Sequence, residues 1–148
     1  MAQIDSVGQN TQDSFGNYRL IRSPNAVSLA ATGNAVIALP ILGGGTGGTT
    51  QYVIRRITAS VLSNIAGGTA PSAATANVSI GTTNDGGNLI ASGQTLTNLT
   101  SATTYQDLTL AAATQTNTYS ANALFVNVNT SVANAQCYIT VYGDIQTF

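Results

Sequence analysis

Charged side chains are scarce in this chain. Only 6% of its 148 residues are charged, as four arginines and five aspartates, whereas about 25% is usual for a globular domain. The net charge of −1 and the small number of basic residues argue against nucleic-acid binding, which needs clustered lysines and arginines to neutralise phosphates. So neutral a surface is uncommon on a free monomer, and we expect neighbouring molecules to cover much of it.

The chain also has little to offer for catalysis or metal binding. Histidine, lysine, glutamate and tryptophan are missing, and the five aspartates are scattered singly, whereas acid–base catalysis usually needs histidine or paired carboxylates. Cys137 is the only cysteine, and no histidine is present to activate it, so we expect it to be a small core residue. Ligands for zinc or for a calcium loop are too few. We therefore expect no enzyme, no metal, no cofactor and no small-molecule substrate.

Long apolar runs are missing as well. No uninterrupted apolar stretch reaches the roughly 18 residues that indicate a membrane span. The first residues, MAQIDSVGQN, lack the basic region and apolar core of a signal peptide. We expect a chain that is made in a cytoplasm and has no membrane partner.

Strand-forming runs are abundant. From Asn25 onward, short runs rich in β-branched and apolar residues recur at intervals of roughly ten residues, and small or turn-forming residues separate them. This spacing predicts an all-β sandwich or barrel. The best match is a single jelly-roll-like antiparallel β-sandwich of about eight strands over residues 25–148, and an immunoglobulin-like sandwich is the alternative. The small polar segment from Ala111 to Asn122 is long enough to cross between two sheets.

The first 24 residues differ in character. They are polar, lack a sustained period, and include Arg19 and Arg22. Two interpretations stay open for this segment. It is an extended N-terminal arm that is ordered only against a partner, or it supplies the first edge strand of the domain.

The longest strand-forming run is QYVIRRITASVLS, residues 51–63. Alternation predicts that its inner face carries Val53, Ile57, Ala59 and Val61. Tyr52 and Ile54 are then apolar on the outer face. We expect this end of the strand to lie under another layer or in a subunit interface.

Two neighbouring arginines, Arg55 and Arg56, lie in the middle of this run. They are half of the basic residues of the chain. Because successive side chains of a strand alternate, we expect them to point to opposite faces. Either could be oriented by bidentate pairing with a carboxylate such as Asp107 or Asp144.

Three aromatic residues fall on nominally outer faces of the last two strands. Phe125 is one, and Tyr138 and Tyr142 are the others. An exposed aromatic patch on a β protein more often marks a protein interface than an accident. We therefore expect these residues to form an assembly patch.

Several segments together resemble the small β-sandwich decoration or cement proteins of tailed bacteriophages. The resemblance covers roughly residues 25–148 and is carried by YVIRRITASVLS, the AATA strand, TTYQDLTL, LFVNVNTSV and CYITVYGDIQ. It implies a homotrimer on the outer surface of the virion that holds neighbouring major capsid protein subunits together, with an arm reaching along the capsid. The candidate interface residues are then Arg19, Arg22, Tyr52, Arg55, Arg56, Phe125, Tyr138 and Tyr142.

Two other functions remain open. One is a glycan-binding module on the virion surface, for which Tyr105 and Tyr119 could supply aromatic platforms. The other is a head-fibre or tail-fibre module, although no long repetitive or coiled-coil segment supports it.

Overall fold

The computed structural model describes residues 18–22, 26–38, 50–61, 73–84, 89–100, 104–121 and 123–147. These residues form nine β-strands and one short 3₁₀ helix. The strands are β1 (Tyr18–Arg22), β2 (Val27–Ser28), β3 (Gly33–Ala38), β4 (Thr50–Ser60), β5 (Asn77–Gly81), β6 (Leu89–Thr95), β7 (Tyr105–Asp107), β8 (Ala123–Thr130) and β9 (Gln136–Thr147), and the 3₁₀ helix is Ala112–Gln115.

The strands form two antiparallel sheets. The first sheet has the order β1-β9-β4-β7, and β2 also pairs with β9; the second sheet has the order β3-β8-β5-β6. The pairs are nested along the chain, because β1 and β2 pair with β9, β3 with β8, β4 with β7, and β5 with β6. This nesting is that of a long hairpin folded over on itself, the jelly roll. The predicted jelly-roll-like sandwich is therefore confirmed, and the order differs from that of an immunoglobulin sandwich.

The N-terminal segment supplies an edge strand of the first sheet. Strand β1 runs antiparallel to β9, with Arg19 opposite Tyr142 and Arg22 opposite Thr140. The sandwich therefore extends back at least to Tyr18, as in the second interpretation of this segment. The rest of the predicted arm, residues 1–17 and 23–24, lies outside the described residues.

The core lies between the two sheets and follows the alternation of the strands. Alternation predicts Leu124, Val126 and Val128 of β8, and Cys137, Ile139, Val141 and Ile145 of β9, as inward positions. The first six are buried, and the side chain of Ile145 lies outside what the structure describes. Val78 and Ile80 of β5 lie beside the β8 residues in the second sheet and belong to the same core cluster. A fully buried side chain of this size contributes about 1.5–3 kcal/mol, so these alternating rows account for much of the stability.

Strand β4 departs from simple alternation at a β-bulge. Ile54 lies opposite Gly143 and Arg56 lies opposite Tyr142, so Arg55 is an extra residue in β4. The extra residue shifts the phase of the strand, and Tyr52 and Ile54 join Ile57 in the core. The expectation that Tyr52 and Ile54 face outward is therefore wrong, because it assumed an unbroken period of two.

The phase shift also changes the position of Val53. This side chain is buried, but it lies on the opposite side of β4 from Tyr52 and Ile54, not on the inner face that alternation predicted. The inner-face positions after the bulge, Ile57 and Ala59, are as predicted.

Deleting Arg55 tests whether the bulge holds both halves of β4 against the core. Without the extra residue, either Tyr52 and Ile54 turn outward or the pairing with β9 slips. Exposing these two side chains alone costs about 3–6 kcal/mol, a large share of the 5–15 kcal/mol that is typical of a whole domain. We expect the deletion variant to lose cooperative unfolding in urea, followed by circular dichroism.

The matched control is Arg55→Ala, which keeps the extra residue and removes only the side chain. We expect it to unfold cooperatively with a loss of at most about 1 kcal/mol. A deletion variant as stable as this control would contradict the role of the bulge.

Candidate assembly surface

Every charged residue that the structure describes lies on the first sheet. Arg19 and Arg22 are in β1, Arg55 and Arg56 in β4, Asp107 in β7 and Asp144 in β9. The four strands of the second sheet contain no charged residue. The outer surface of the first sheet is named the charged face below, and its described side chains include Arg55, Arg56, Thr58, Ser60, Tyr105, Asp107, Tyr138, Thr140, Tyr142 and Asp144.

Both central arginines are paired with aspartates of the neighbouring strands. Arg55 Nε lies 2.8 Å from Asp144 Oδ2, and Arg55 Nη1 donates to the carbonyl oxygen of Gln115 at 2.9 Å. Arg56 makes a two-pronged contact, in which Nε donates to Asp107 Oδ1 at 2.7 Å and Nη2 donates to Oδ2 at 3.2 Å. Each arginine thus pairs with one of the two expected aspartates, and the pairing is bidentate, as predicted, for Arg56 but not for Arg55.

The two arginines lie on the same side of the sheet. Both line one open depression of about 450 Å³, together with Asp107 and Gln115. The prediction that they point to opposite faces is wrong, because a bulge directs two successive residues to the same side of the strand.

Arg56 is the more firmly held of the two. Its guanidinium carbon lies 5.7 Å from the centre of the Tyr142 ring, within the range of a cation–π contact. Its side chain is 19% exposed, compared with 42% for Arg55. The Arg56 guanidinium is thus bounded by the Asp107 carboxylate and by the Tyr142 ring.

Tyrosines extend the charged face along the sheet. Ser60 of β4 lies opposite Tyr138 of β9 on one side and opposite Tyr105 of β7 on the other. Tyr138 is half-buried, whereas Tyr105 is 59% exposed. Tyr105 was not among the predicted interface residues, because its neighbours on the charged face come from β4 and β9, which are distant in sequence.

The other two predicted aromatic residues lie elsewhere. Phe125 is on β8 in the second sheet, so it does not form one patch with Tyr138 and Tyr142. Tyr52 is fully buried in its own chain, where its hydroxyl donates to the carbonyl oxygen of Ala121 at 2.9 Å and its ring packs against Tyr119. Its side chain is therefore not available to a partner.

The structure thus places seven of the eight predicted residues on strands of the first sheet, and Phe125 alone lies in the second. Of the seven, Tyr52 faces the core. Arg55, Arg56, Tyr138 and Tyr142 are on the charged face itself. Arg19 and Arg22 are in the adjacent edge strand, where their backbone lies opposite Tyr142 and Thr140 of β9.

Cys137 is unsuited to nucleophilic chemistry. It is 1% exposed in the core, and burial raises the pKa of its thiol to about 12. A reactive cysteine has a lowered pKa, because the thiolate is the nucleophile. The expectation that Cys137 is a small core residue is confirmed.

Neither metal clusters nor spanning helices occur within the described ranges. No group of three or more histidine, cysteine, aspartate or glutamate residues comes together there. Among the same residues, no helix has the length and apolar character to cross a membrane.

Comparison with protein families, curated proteins and solved structures finds no match for this chain. Its function therefore has to be inferred from the jelly-roll topology and from the charged face.

The two arginines provide a test of how firmly the charged face is organised. Arg56→Ala loses a charge-assisted two-pronged contact and a cation–π contact, so we expect a loss of about 1–2 kcal/mol in the free energy of unfolding. Arg55→Ala loses a more exposed ion pair and should cost less than about 1 kcal/mol. Urea unfolding of both variants at low salt measures the difference. Equal losses, or a larger loss for Arg55→Ala, would count against this description.

The buried thiol predicts a loss of stability at alkaline pH. The unfolded chain releases the Cys137 proton near its ordinary pKa of 9.0, whereas the folded chain keeps it up to a pKa of about 12. Between these values the unfolded state binds fewer protons, so the free energy of unfolding falls as pH rises. Urea unfolding at pH 8 and pH 10 should show this fall, and Cys137→Ala should reduce it. Identical slopes in the two proteins would refute the prediction.

Proposed function

We propose that this chain is a structural protein of a bacteriophage virion, a decoration or cement protein on the outside of the head. In this proposal the charged face binds the major capsid protein and stabilises contacts between its subunits. The observation that carries the proposal is the concentration of arginines and tyrosines on one sheet of a jelly roll whose other sheet has no charged residue in its strands.

The composition of the charged face supports a protein partner. Tyrosine and arginine are enriched in protein interfaces and at the residues that contribute most to binding. The charged face combines Arg55 and Arg56 with Tyr105, Tyr138 and Tyr142. Tyrosine supplies a large contact area with a polar tip, and paired guanidinium groups give a contact its orientation.

The electrostatics of this face support a neutral or mixed partner over a polyanion. Arg55 and Arg56 are each neutralised by an aspartate of their own chain. Nucleic-acid binding depends on cations that replace the counterions of phosphates. Paired arginines provide few such cations, so a polar protein surface is the better match.

The jelly roll agrees with this proposal as a matter of analogy. Jelly rolls are common in viral capsid proteins and in lectins, and a fold by itself does not determine a function. The resemblance of the sequence to phage decoration proteins adds the expectation of a homotrimer on the virion. An oligomer that engages several similar capsid sites gains affinity without any single strong contact.

A glycan-binding module is the second candidate, and one observation favours it. Tyr105 is 59% exposed on the surface of a jelly roll, as an aromatic platform for a sugar would be. Tyr119, the other candidate platform, packs its ring against Tyr52 and is partly buried. Sugar binding that is lost in Tyr105→Ala, without any binding to phage heads, would favour this function.

The proposal is tested first on virus particles. Particles of the virus that encodes the chain are banded in a density gradient, and mass spectrometry measures the copies of this chain per particle. We expect many copies in the intact-particle band. A chain found only in the soluble fraction would refute the proposal.

The role of the charged face is tested with heads that lack the chain. Tyr105→Ala truncates a side chain that is 59% exposed, so we expect the sandwich to stay intact. If Tyr105 lies in the interface, co-sedimentation with such heads should weaken by about tenfold or more. The control is Leu89→Ala, an exposed position of the second sheet, which should bind like the wild type. Equal loss in both variants would remove the charged face from the mechanism.

A further inference from the structure

The four edge strands of the sandwich differ in how they are protected. An edge strand presents unpaired backbone N–H and C=O groups, and proteins usually blunt it with charges, bulges, short length or a cover. Strands β1 and β7 border the first sheet, and β3 and β6 border the second.

Three of these edges carry recognised protection. Strand β1 contains two arginines and a break in register between Arg19 and Ile21. Strand β7 is three residues long and ends at Asp107. Strand β6 has two breaks in its register with β5 and a glycine, Gly93, with a φ of 52°.

Strand β3 lacks these features, except that its first residue, Gly33, is a glycine with a positive φ of 143°. Its six residues, GNAVIA, include no charge and no proline. It pairs with β8 in unbroken register from Gly33 opposite Val128 to Ala38 opposite Ala123. No strand within the described ranges other than β8 pairs with it. Because alternate residues of a strand direct their backbone groups to opposite sides, every second residue of β3 directs its N–H and C=O away from β8.

An apolar row leads to this edge across the outer face of the second sheet. Val36, in the middle of β3, lies opposite Phe125 of β8. The row continues across the sheet from Phe125 to Gly81 of β5, and from Gly81 to Leu89 of β6. Val36 is 61% exposed and Leu89 is 36% exposed. The most exposed member of the row therefore lies at the open edge.

We propose that β3 is an interface between two copies of this chain. In this interface β3 pairs antiparallel with β3 of the second copy across a two-fold axis, and the two second sheets become one continuous eight-stranded sheet. The inference is independent of capsid binding. It is also distinct from the homotrimer expected from the resemblance, because a two-fold contact closes as a dimer.

The charge distribution favours a second copy as the occupant of this edge. Neither β3 nor the other three strands of the second sheet contain a charged residue, so pairing of the two β3 strands sets no like charges of these strands against each other. A charged partner would find no opposite charge on these strands. Main-chain hydrogen bonds would supply the attraction, as in other cases of strand addition.

The alternation of side chains restricts the register of this pairing. In the joined sheet, the outer-face side chains of one β3 must lie beside the outer-face side chains of the other. An even-numbered residue of β3 therefore pairs with an even-numbered residue of the second copy. A register centred on Val36 places the two copies of this side chain against each other, and it places Asn34 opposite Ala38. The exposed valine is then covered by its own copy.

The experiment measures the mass of the full chain in solution by light scattering after size exclusion, over a range of concentrations. We expect the wild type to dimerise reversibly. Val36→Lys places two like charges together, which should raise the dissociation constant by about a hundredfold or more. Ser92→Lys adds the same charge at an exposed position of β6, the opposite edge, and should dimerise like the wild type. Circular dichroism confirms that each variant is folded.

Hydrogen exchange of the wild type provides a readout that does not depend on any variant. The β3 amides that face away from β8 should become protected as the concentration rises. A monomer at all concentrations would overturn the inference, as would a trimer with rapidly exchanging β3 amides or a Val36→Lys variant that dimerises like the wild type. A monomeric wild type that still binds phage heads would overturn this inference alone and leave the proposed function standing.

Discussion

The β-bulge at Arg55 is the constraint on which the rest of the structure depends. One extra residue in β4 lets Tyr52 and Ile54 on one side of it, and Ile57 and Ala59 on the other, all face the same core. The same residue directs both arginines outward, where the neighbouring strands supply one aspartate to each. Core packing and the charged face are therefore two consequences of a single irregularity in the pairing of β4 with β9.

The two sheets differ in the kind of polar group that they carry. The described charges are gathered on the first sheet, and the second sheet relies on amide and hydroxyl groups for its polarity. Asn129 Nδ2, for example, donates to Asn77 Oδ1 and to Ser79 Oγ, both at 2.8 Å. Because Arg55 and Arg56 are neutralised locally, electrostatic repulsion between copies is weak. Such a module is suited to close packing beside neighbours and poorly suited to remaining a dispersed monomer.

Most of the fold could be predicted from the sequence, whereas the site could be predicted only in part. Period-two alternation identified the inward faces of β8 and β9, because β9 contains no extra residue and the extra residue of β8, Asn129, follows its inward positions. In β4 the apolar positions jump by three residues, from Ile54 to Ile57. This jump is the sequence signal of a bulge, and the expectation of coverage by another layer overlooks it.

Alternation also says nothing about which sheet a strand joins. A jelly roll sends the consecutive strands β8 and β9 to opposite sheets, and this separates Phe125 from Tyr138 and Tyr142. The burial of Tyr52 depends on Ala121, which is distant in sequence and gives no local signal.

The central claim is that the charged face is the surface buried on the capsid. A cryo-electron microscopy reconstruction of the virus particle tests this claim most directly, because it shows both the presence of the jelly roll and its orientation. The account predicts density for the sandwich on the outer surface of the head, with Tyr105, Tyr138 and the paired arginines against the shell. A sandwich whose charged face points to solvent, or whose second sheet lies against the shell, would contradict it.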